Sequence, residues 1–325
     1  MPPRFPHGPL AAGVVQVEDE IGTDPALEAL IRDAGGLWQA GDYYADSATI
    51  VETAHLNGVR ALRLDARDLL LLRDLPELEI LHLRSDGRPV LDPVATLPNL
   101  RGLIVELSAL RGTIRLEAHP RLELLKMPLS GRGGRENLSG VLHGHPAVRH
   151  LRLGEVPLTS LDALAAGFPA LRTLHIHGAE RMRSVGAVEA WADALDRLWL
   201  TWAPLRSFDG LEVLRSLRCF GSTFSRVRTI APLAHLPALR TLSILGTLPS
   251  LVSLAGKAGL RIARLTMPDD GDLDPLGSWP DLVALVGRRW LGDRAPVPYL
   301  EDLPATDPRR KEWFDATGTP LLLAP

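Results

Sequence analysis

The chain has 325 residues, a hydrophobic fraction of 46% and a formal net charge of −3. A chain of this size can bury a substantial core, and its near-neutral charge favours neither nucleic acid nor a membrane surface as a partner. Its single cysteine, Cys219, excludes a disulfide framework within the chain.

The first 58 residues are predicted to form an N-terminal cap with short helices. The opening segment MPPRFPHGPLAAGVVQVEDE contains a short apolar run that charged residues soon interrupt, which is not typical of a signal peptide, so a cytoplasmic location is expected. The segment DPALEALIRDA predicts a helix with Asp24 as its N-cap and Pro25 in the first turn. A second helix is predicted over DSATIVETAH.

Residues 59–288 repeat one phrase. The hexapeptide PALRTL occurs twice, and variants of apolar-Pro-x-L-x-x-L-x-apolar recur with a period of about 22 residues. The last apolar positions of each copy alternate with polar or variable residues, which predicts a short strand with one buried face. Eleven strands are predicted, centred on Leu62, Leu81, Leu103, Leu125, Leu151, Leu174, Leu198, Phe220, Leu242, Leu265 and Leu285.

The segments between the predicted strands are short. Examples are LDPVATLP, LTSLDALAAGFP, TIAPLAHLP and LDPLGSWP, each with two apolar anchors and a proline or small residue. They are too short for long helices, so single helical or 3₁₀ turns are expected on the opposite side of each repeat. Residues 289–325 are rich in proline and aromatic residues and are predicted to form a C-terminal cap, because an array of repeats needs terminal shielding.

The L-x-x-L-x-L phrase at this period resembles the leucine-rich-repeat superfamily. The phrase LDPLxxLPxLxxLxL is most similar to the subclass of about 22 residues found in internalins and in cytoplasmic phosphatase-regulating subunits. The resemblance implies an α/β solenoid, a curved horseshoe with a parallel sheet of about eleven short strands on its concave face and helical or 3₁₀ turns on its convex face. The asparagine that those proteins carry after the strand is replaced here by residues such as Asp86, Ser108 and Ser130, so the asparagine ladder is missing.

The strand positions that point to the concave face line up in columns, because neighbouring strands lie about 4.8 Å apart. Basic and aromatic side chains concentrate in the first seven repeats, whereas the last four carry mostly small, hydroxyl or apolar residues. Arginine, histidine and tryptophan together favour a partner with carboxylate or phosphate groups beside an apolar group. The predicted partner-binding residues are Arg63, His82, Lys126, His150, Arg152, His175, His177, Arg197 and Trp199.

Other candidate sites are weaker. His150, His175 and His177 could approach one another, but no Cys, Asp or Glu joins them in the same columns, so no metal site is predicted. The segment SGRGGREN (130–137) lacks the phosphate-loop signature and is interpreted as a flexible insertion. His119 and His145 replace core leucines and are expected to be partly buried. Cys219 is expected to be a free thiol on the concave face, without a neighbouring base.

The sequence therefore predicts a cytoplasmic, non-catalytic scaffold or adaptor without a cofactor, which binds a protein or peptide of acidic character on its concave face. Nucleic acid is disfavoured as a partner, and no membrane association is expected. A toxin-neutralising or regulatory subunit of one dedicated enzyme is an alternative. A second alternative is an enzyme, or part of one, with its chemistry around His150, His175 and Cys219.

Overall fold

The structure, a computed structural model, describes residues 14–16, 25–35, 37–40, 47–56, 58–64, 69–84, 90–106, 112–129, 131–292 and 296–317. The chain divides into two compact units, Met1–Val148 and Arg149–Pro325. Asp24, the predicted helix cap, lies outside the described residues. The division into caps at 1–58 and 289–325 around repeats at 59–288 stays a prediction.

The described part of the first unit contains strands, α-helices and short 3₁₀ turns. In chain order they are β1 (Val14–Gln16), α1 (Pro25–Asp33), β2 (Leu37–Ala40), α2 (Ser47–Leu56), β3 (Ala61–Leu64), β4 (Ile80–Arg84), β5 (Gly102–Glu106), β6 (Leu124–Pro128) and α3 (Gly131–Leu142), with 3₁₀ turns at Leu70–Asp74, Asp92–Thr96 and Leu116–Ala118. Strands β2 to β6 pair in parallel and in chain order, and β1 pairs antiparallel with β2. The sheet therefore extends two strands beyond the first predicted repeat.

The second unit repeats the same alternation of strand and turn. Its elements are β7 (His150–Gly154), α4 (Asp162–Gly167), β8 (Thr173–His177), β9 (Arg197–Thr201), β10 (Cys219–Arg226), β11 (Thr241–Thr247), β12 (Ile262–Leu265), α5 (Asp274–Gly277), β13 (Ala284–Val286), α6 (Arg288–Leu291) and α7 (Pro308–Thr317), with 3₁₀ turns at Glu189–Trp191, Leu211–Val213, Ala231–His235, Val252–Leu254 and Leu300–Asp302. Strands β7 to β13 are parallel and in chain order.

All eleven strands predicted from the repeat are present, as β3 to β13. Their leucine columns form the interior, and Leu174 and Leu242 are both 0% exposed. The turns close over this interior with buried apolar anchors such as Leu72, Val94 and Leu233. The predicted combination of a parallel sheet and short turns is therefore confirmed.

One strand has a different register from the prediction. Leu242 of β11 pairs with Ala263 of β12, and Ala263 pairs with Leu285 of β13. Leu265 therefore lies two residues beyond the central position that was assigned to it. Arg264, rather than Thr266, joins the column of Ser243 and Val286. The physical reason is that Ala263 and Leu265 both face the interior, and only strand pairing distinguishes them.

In the first unit, α1 lies on the sheet face that points away from the repeat interior, here called the outer sheet face. Leu27, Leu30 and Ile31 of the helix cluster with Ala61, Ile80, Ile104 and Leu124 of the strands. The amphipathic helix thus buries its apolar side on small and aliphatic residues of four successive strands, β3 to β6.

In the second unit, α7 lies on the outer sheet face in the same manner. Its Trp313 is 1% exposed and clusters with the strand residues Trp199, Cys219, Ile262, Ala284 and Val286. Arg261 donates two hydrogen bonds to Glu312 at 2.7 and 3.2 Å, and Arg309 donates one to the carbonyl oxygen of Val283 at 3.3 Å. A helix of the same chain therefore packs on the small and apolar residues of the last repeats.

The segment that was interpreted as a flexible insertion contains a helix. Gly131–Leu142 is helical, and Asn137 is fully buried. The Asn137 side-chain oxygen accepts a hydrogen bond from the Ile114 N–H at 3.0 Å, and its amide donates to the Gly112 carbonyl at 3.3 Å. These bonds satisfy backbone groups of the preceding turn, which ties the helix to the repeat array.

Candidate partner-binding surface

In the first unit, the predicted basic residues surround a carboxylate. Glu106 lies 2.7 Å from the Lys126 ammonium, 3.4 Å from His82 Nε2 and 3.6 Å from Arg84 Nε. The pKa of Glu106 lies well below its usual range, mainly because of the hydrogen bond with His82 and also because of Lys126. Arg63 on β3 is half-buried and pairs with His82 on the neighbouring strand β4. The positive charge predicted at His82 and Lys126 is thus locally compensated by Glu106.

In the second unit, strand pairing places Arg152, His175 and Trp199 side by side on β7, β8 and β9. This juxtaposition confirms the register predicted for these three strands. Arg152 is exposed and His175 is half-buried. The role of these side chains in binding a partner stays a prediction.

The remaining basic residues of this face lie at the ends of the same strands. His150 begins β7 and is half-buried, while His177 ends β8 and is exposed. The His177 Nδ1 atom lies 2.9 Å from the Thr201 hydroxyl, which fixes the orientation of the ring. Arg197 is engaged with Asp196, its chain neighbour, at 3.3 Å. Arg152 and His177 therefore supply the exposed basic groups of β7 and β8.

Trp199 is inside the unit instead of on its surface. The side chain is 8% exposed, and its ring meets that of Trp313 edge-to-face. A side-chain carbon at Gly221, the next position in the same column, would overlap the Trp199 ring. The indole thus occupies the space above Gly221 and below α7. Contact between Trp199 and a partner would require α7 to leave the sheet.

Cys219 is a free thiol, as expected, but it is buried, with 1% of its surface exposed. Burial raises the pKa of the Cys219 thiol to about 12, so the thiol is protonated at neutral pH. Its column places it three strands from His150, a separation of about 14 Å at the usual strand spacing. This geometry does not bring together the Cys219 and His150 of the enzyme alternative.

The two histidines that replace core leucines, His119 and His145, are buried. His119 is 1% exposed, with its Nδ1 atom 3.1 Å from the Leu97 carbonyl oxygen, and His145 is 6% exposed. Burial lowers the pKa of both imidazoles. Within the described part of the chain, no group of three or more His, Cys, Asp or Glu side chains is arranged to hold a metal ion.

Sequence reasoning missed an exposed aromatic pair at the carboxyl end of two strands. Trp202 and Phe224 are 49% and 54% exposed, and their rings stack with centroids 4.3 Å apart and planes inclined by 26°. The two residues are 22 positions apart, which equals one repeat. That spacing is a signal that the sequence contains. It was missed because Trp202 and Phe224 each lie one residue beyond the last strand position of the predicted columns.

Comparisons with known proteins agree with this architecture. The structure is similar to that of an internalin, inlF, from Listeria monocytogenes, with a TM-score of 0.52 and 17% identity, over 85% of this chain and 85% of that chain. The chain has a leucine-rich-repeat fold.

Two further solved leucine-rich-repeat structures are similar at lower scores. Internalin C2 of Listeria monocytogenes gives a TM-score of 0.43 at 19% identity, over 86% of this chain and 99% of that chain. A leucine-rich-repeat protein of Leptospira interrogans gives 0.45 at 14% identity, over 72% of this chain and 68% of that chain. No protein-family model and no curated protein matches the sequence.

Among the helices that the structure describes, none is long and apolar enough to span a membrane.

Proposed function

We propose that this leucine-rich-repeat protein is a cytoplasmic, non-catalytic adaptor that binds an acidic protein or peptide on the outer sheet face of its second unit. One observation carries the proposal. On the same face that accepts the helix α7, the neighbouring strands β7 and β8 present the exposed basic residues Arg152 and His177.

The chemistry of this surface suits a carboxylate-bearing partner. An arginine guanidinium binds a carboxylate through two parallel hydrogen bonds, and such contacts are frequent among the residues that dominate protein interfaces. Arg152 and His177 lie on adjacent strands, because Arg152 pairs with His175 and Gly154 pairs with His177. A rigid sheet thus holds both donors at a fixed spacing, which lowers the entropic cost of binding.

The test compares two variants in which basic residues are replaced by glutamate. Full-length protein, the Arg152→Glu/His177→Glu variant and an Arg240→Glu control are used to capture proteins from the native host under identical conditions. Arg240 is exposed and precedes β11, outside the proposed surface. Proteins that bind the parent and the control are then purified and their dissociation constants are measured by calorimetry.

We expect at least one purified partner to bind the double variant about tenfold or more weakly, while the Arg240 control binds like the parent. The proposal is wrong if every partner binds the double variant and the parent equally well. It is equally wrong if the control loses as much affinity as the double variant, because the effect would then report net charge alone.

A further inference from the structure

The stacked pair Trp202 and Phe224 has the character of an interaction anchor. Each ring is about half exposed, and the two form a continuous apolar surface at the ends of β9 and β10. Single exposed apolar residues are ordinary on soluble proteins, but two large adjacent rings mark a contact site.

The backbone holds both rings in a conformation that bulky residues seldom adopt. Trp202 and Phe224 have φ values of 57° and 64°, in the left-handed region. At the equivalent end of β8 the chain uses a glycine, Gly178, with φ 72°. Glycine would therefore satisfy the turn without strain, so the aromatic side chains are not needed for the backbone path.

Local hydrogen bonds fix the direction of this pair. The Trp202 N–H donates to the Thr223 hydroxyl at 2.9 Å, and the Ala203 N–H donates to the Thr223 carbonyl at 3.2 Å. These bonds tie the segment after β9 to the last part of β10, next to the two residues that carry the rings. The rings are preorganised, which reduces the entropy that a partner must overcome.

Arginines follow both aromatic positions closely in sequence, and one more lies on the segment after β8. Arg183, Arg206, Arg226 and Arg228 are exposed. The Arg206 N–H donates to the Arg183 carbonyl at 2.9 Å, and the Arg226 N–H donates to the Leu205 carbonyl at 2.7 Å, so these turns stack on one another. Within the part of the chain that the structure describes, no carboxylate pairs with these four guanidinium groups. The Arg183 guanidinium donates to the carbonyl oxygens of Glu180 and Met182 at 2.6 and 3.1 Å, which holds this side chain on its own turn.

The sign of the charge changes further along the same edge. The turn after β12 carries Asp269, Asp270 and Asp272, and the Asp269 N–H donates to the carbonyl of Leu248 in the preceding turn. The basic stretch therefore spans the turns after β8, β9 and β10, about 10 Å at the usual strand spacing. A long polyanion such as a nucleic acid strand would run from the arginines onto the aspartates. A short acidic segment would not.

We propose that Trp202, Phe224 and the arginines Arg183, Arg206, Arg226 and Arg228, here called the aromatic–arginine patch, bind a short acidic segment of a partner protein through an apolar side chain flanked by carboxylates. The inference rests on the proposed function, because it adds a second set of contacts for the same class of partner. The apolar side chain packs on the stacked rings, and the carboxylates pair with the guanidinium groups.

The probe for the test is a random library of 12-residue peptides displayed on phage and selected on the full chain. Enriched peptides are synthesised, and their dissociation constants are measured by fluorescence anisotropy for the parent and for four variants. Two variants alter the patch: Trp202→Ser/Phe224→Ser and Arg206→Gln/Arg226→Gln. The third, Val252→Ser, removes an apolar side chain that is 61% exposed in a different turn and serves as the control. The fourth, Arg152→Glu, tests the outer sheet face separately.

We expect enriched peptides with an aromatic or large aliphatic residue beside Asp or Glu, at least tenfold weaker binding to both patch variants, and unchanged binding to the Val252 control. A 12-nucleotide single strand of uridylate should bind more weakly than the peptides. Absence of enriched peptides, enrichment of neutral or basic ones, tighter binding of the oligonucleotide, or equal affinity of parent and patch variants would each overturn the inference.

The fourth variant separates the two proposals. Peptides that depend on Arg152 but bind the patch variants normally would overturn this inference and leave the proposed function intact. Peptides that depend on the patch but bind the Arg152 variant normally would support this inference and contradict the proposed role of β7 and β8. Because both aromatic side chains are exposed, circular dichroism and thermal melting of the Trp202→Ser/Phe224→Ser variant should match those of the parent.

Discussion

The ring of Trp313 meets the ring of Trp199 edge-to-face, with centroids 6.4 Å apart and planes inclined by 85°. Trp199 belongs to a central strand of the second unit, and Trp313 belongs to the helix α7 near the end of the chain. This contact, together with the ion pair between Arg261 and Glu312, seats α7 on the sheet. The ion pair is about one-third exposed on both sides and adds little, so the tryptophans supply most of the attachment.

Removing the Trp313 side chain should release α7 and uncover the cysteine beneath it. We expect Trp313→Ala to lower the free energy of unfolding by about 3–5 kcal/mol, the usual range for a buried aromatic residue. Because burial raises the pKa of the Cys219 thiol to about 12, release of the helix should also lower this pKa and speed reaction of the thiol with an aromatic disulfide reagent about tenfold or more. Denaturant titration and the rate of thiol labelling measure the two effects.

Lys311→Ala is the matched control on the same helix, because the Lys311 side chain is 76% exposed and points away from the sheet cluster. Its labelling rate should equal that of the parent. Equal labelling of the Trp313 variant and the parent would show that α7 does not shield Cys219.

Truncation of an interior leucine tests the repeat register. Leu174 is 0% exposed and pairs with Leu151 and Leu198 of the neighbouring strands. We expect Leu174→Ala to lower the free energy of unfolding by about 2–5 kcal/mol through lost packing and the cavity that remains. Urea titration measures this loss, and a change of less than about 0.5 kcal/mol would contradict the assigned interior position.

The buried imidazole of His119 should make stability depend on pH. Burial lowers its pKa in the folded protein from the ordinary 6.5, so the unfolded chain binds a proton more readily than the folded one. The stabilisation is fully present above pH 6.5 and is lost as the pH falls from there through the lowered pKa. Urea titrations at pH 7.5 and 5.5 should show lower stability at the acidic pH.

Substitution by leucine, the residue that Leu75, Leu97 and Leu236 supply in other repeats, should reduce this pH dependence. The control is His235→Gln, which alters an exposed imidazole and should leave the dependence unchanged. An unchanged dependence in the His119→Leu variant would assign the acid sensitivity to other groups.

Glycine at the strained aromatic position should be tolerated by the fold. Phe224→Gly has two opposing effects: glycine adopts the left-handed conformation without strain, which stabilises the folded protein, but it also makes the unfolded chain more flexible, which favours unfolding. Because these effects offset each other, the free energy of unfolding should change by less than about 1 kcal/mol. Phe220→Ala, four residues earlier at a position that is 0% exposed, should lose about 3–5 kcal/mol. Thermal and urea unfolding compare the two, and a large loss in Phe224→Gly would indicate a structural role for that ring.

The repeat could be predicted from sequence because most strands obey a local rule: two apolar residues stand two positions apart, and in seven of the eleven repeats a proline precedes them. The register of β12 could not, since Ala263 is small and Leu265 resembles the better interior residue. Pairing with β11 and β13, a contact between distant parts of the chain, decides between them.

The candidate surface was harder to predict for the same reason. The sequence placed Trp199 in the correct column, but exposure depends on where α7 packs, and an amphipathic helix can shield either the end of a repeat array or its face. The clue lay in the neighbouring columns, where Cys219, Ile262 and Ala284 are too apolar for a solvated strand face. Similarly, Glu106 was visible among the basic residues of the first unit, but its ion pairs depend on side-chain geometry.

The packing of α7 on the sheet also limits how many repeats this part of the chain can gain or lose. Repeat arrays commonly gain or lose whole repeats, since each repeat contacts only its immediate neighbours. Here one helix contacts β9 through the Trp199–Trp313 ring pair and the start of the β13 segment through the hydrogen bond from Arg309 to the Val283 carbonyl. Deleting or duplicating a repeat between those strands would move one contact by about 4.8 Å relative to the other and leave the helix without a matching seat. The number of repeats in this part of the chain is therefore fixed by the span of a single helix.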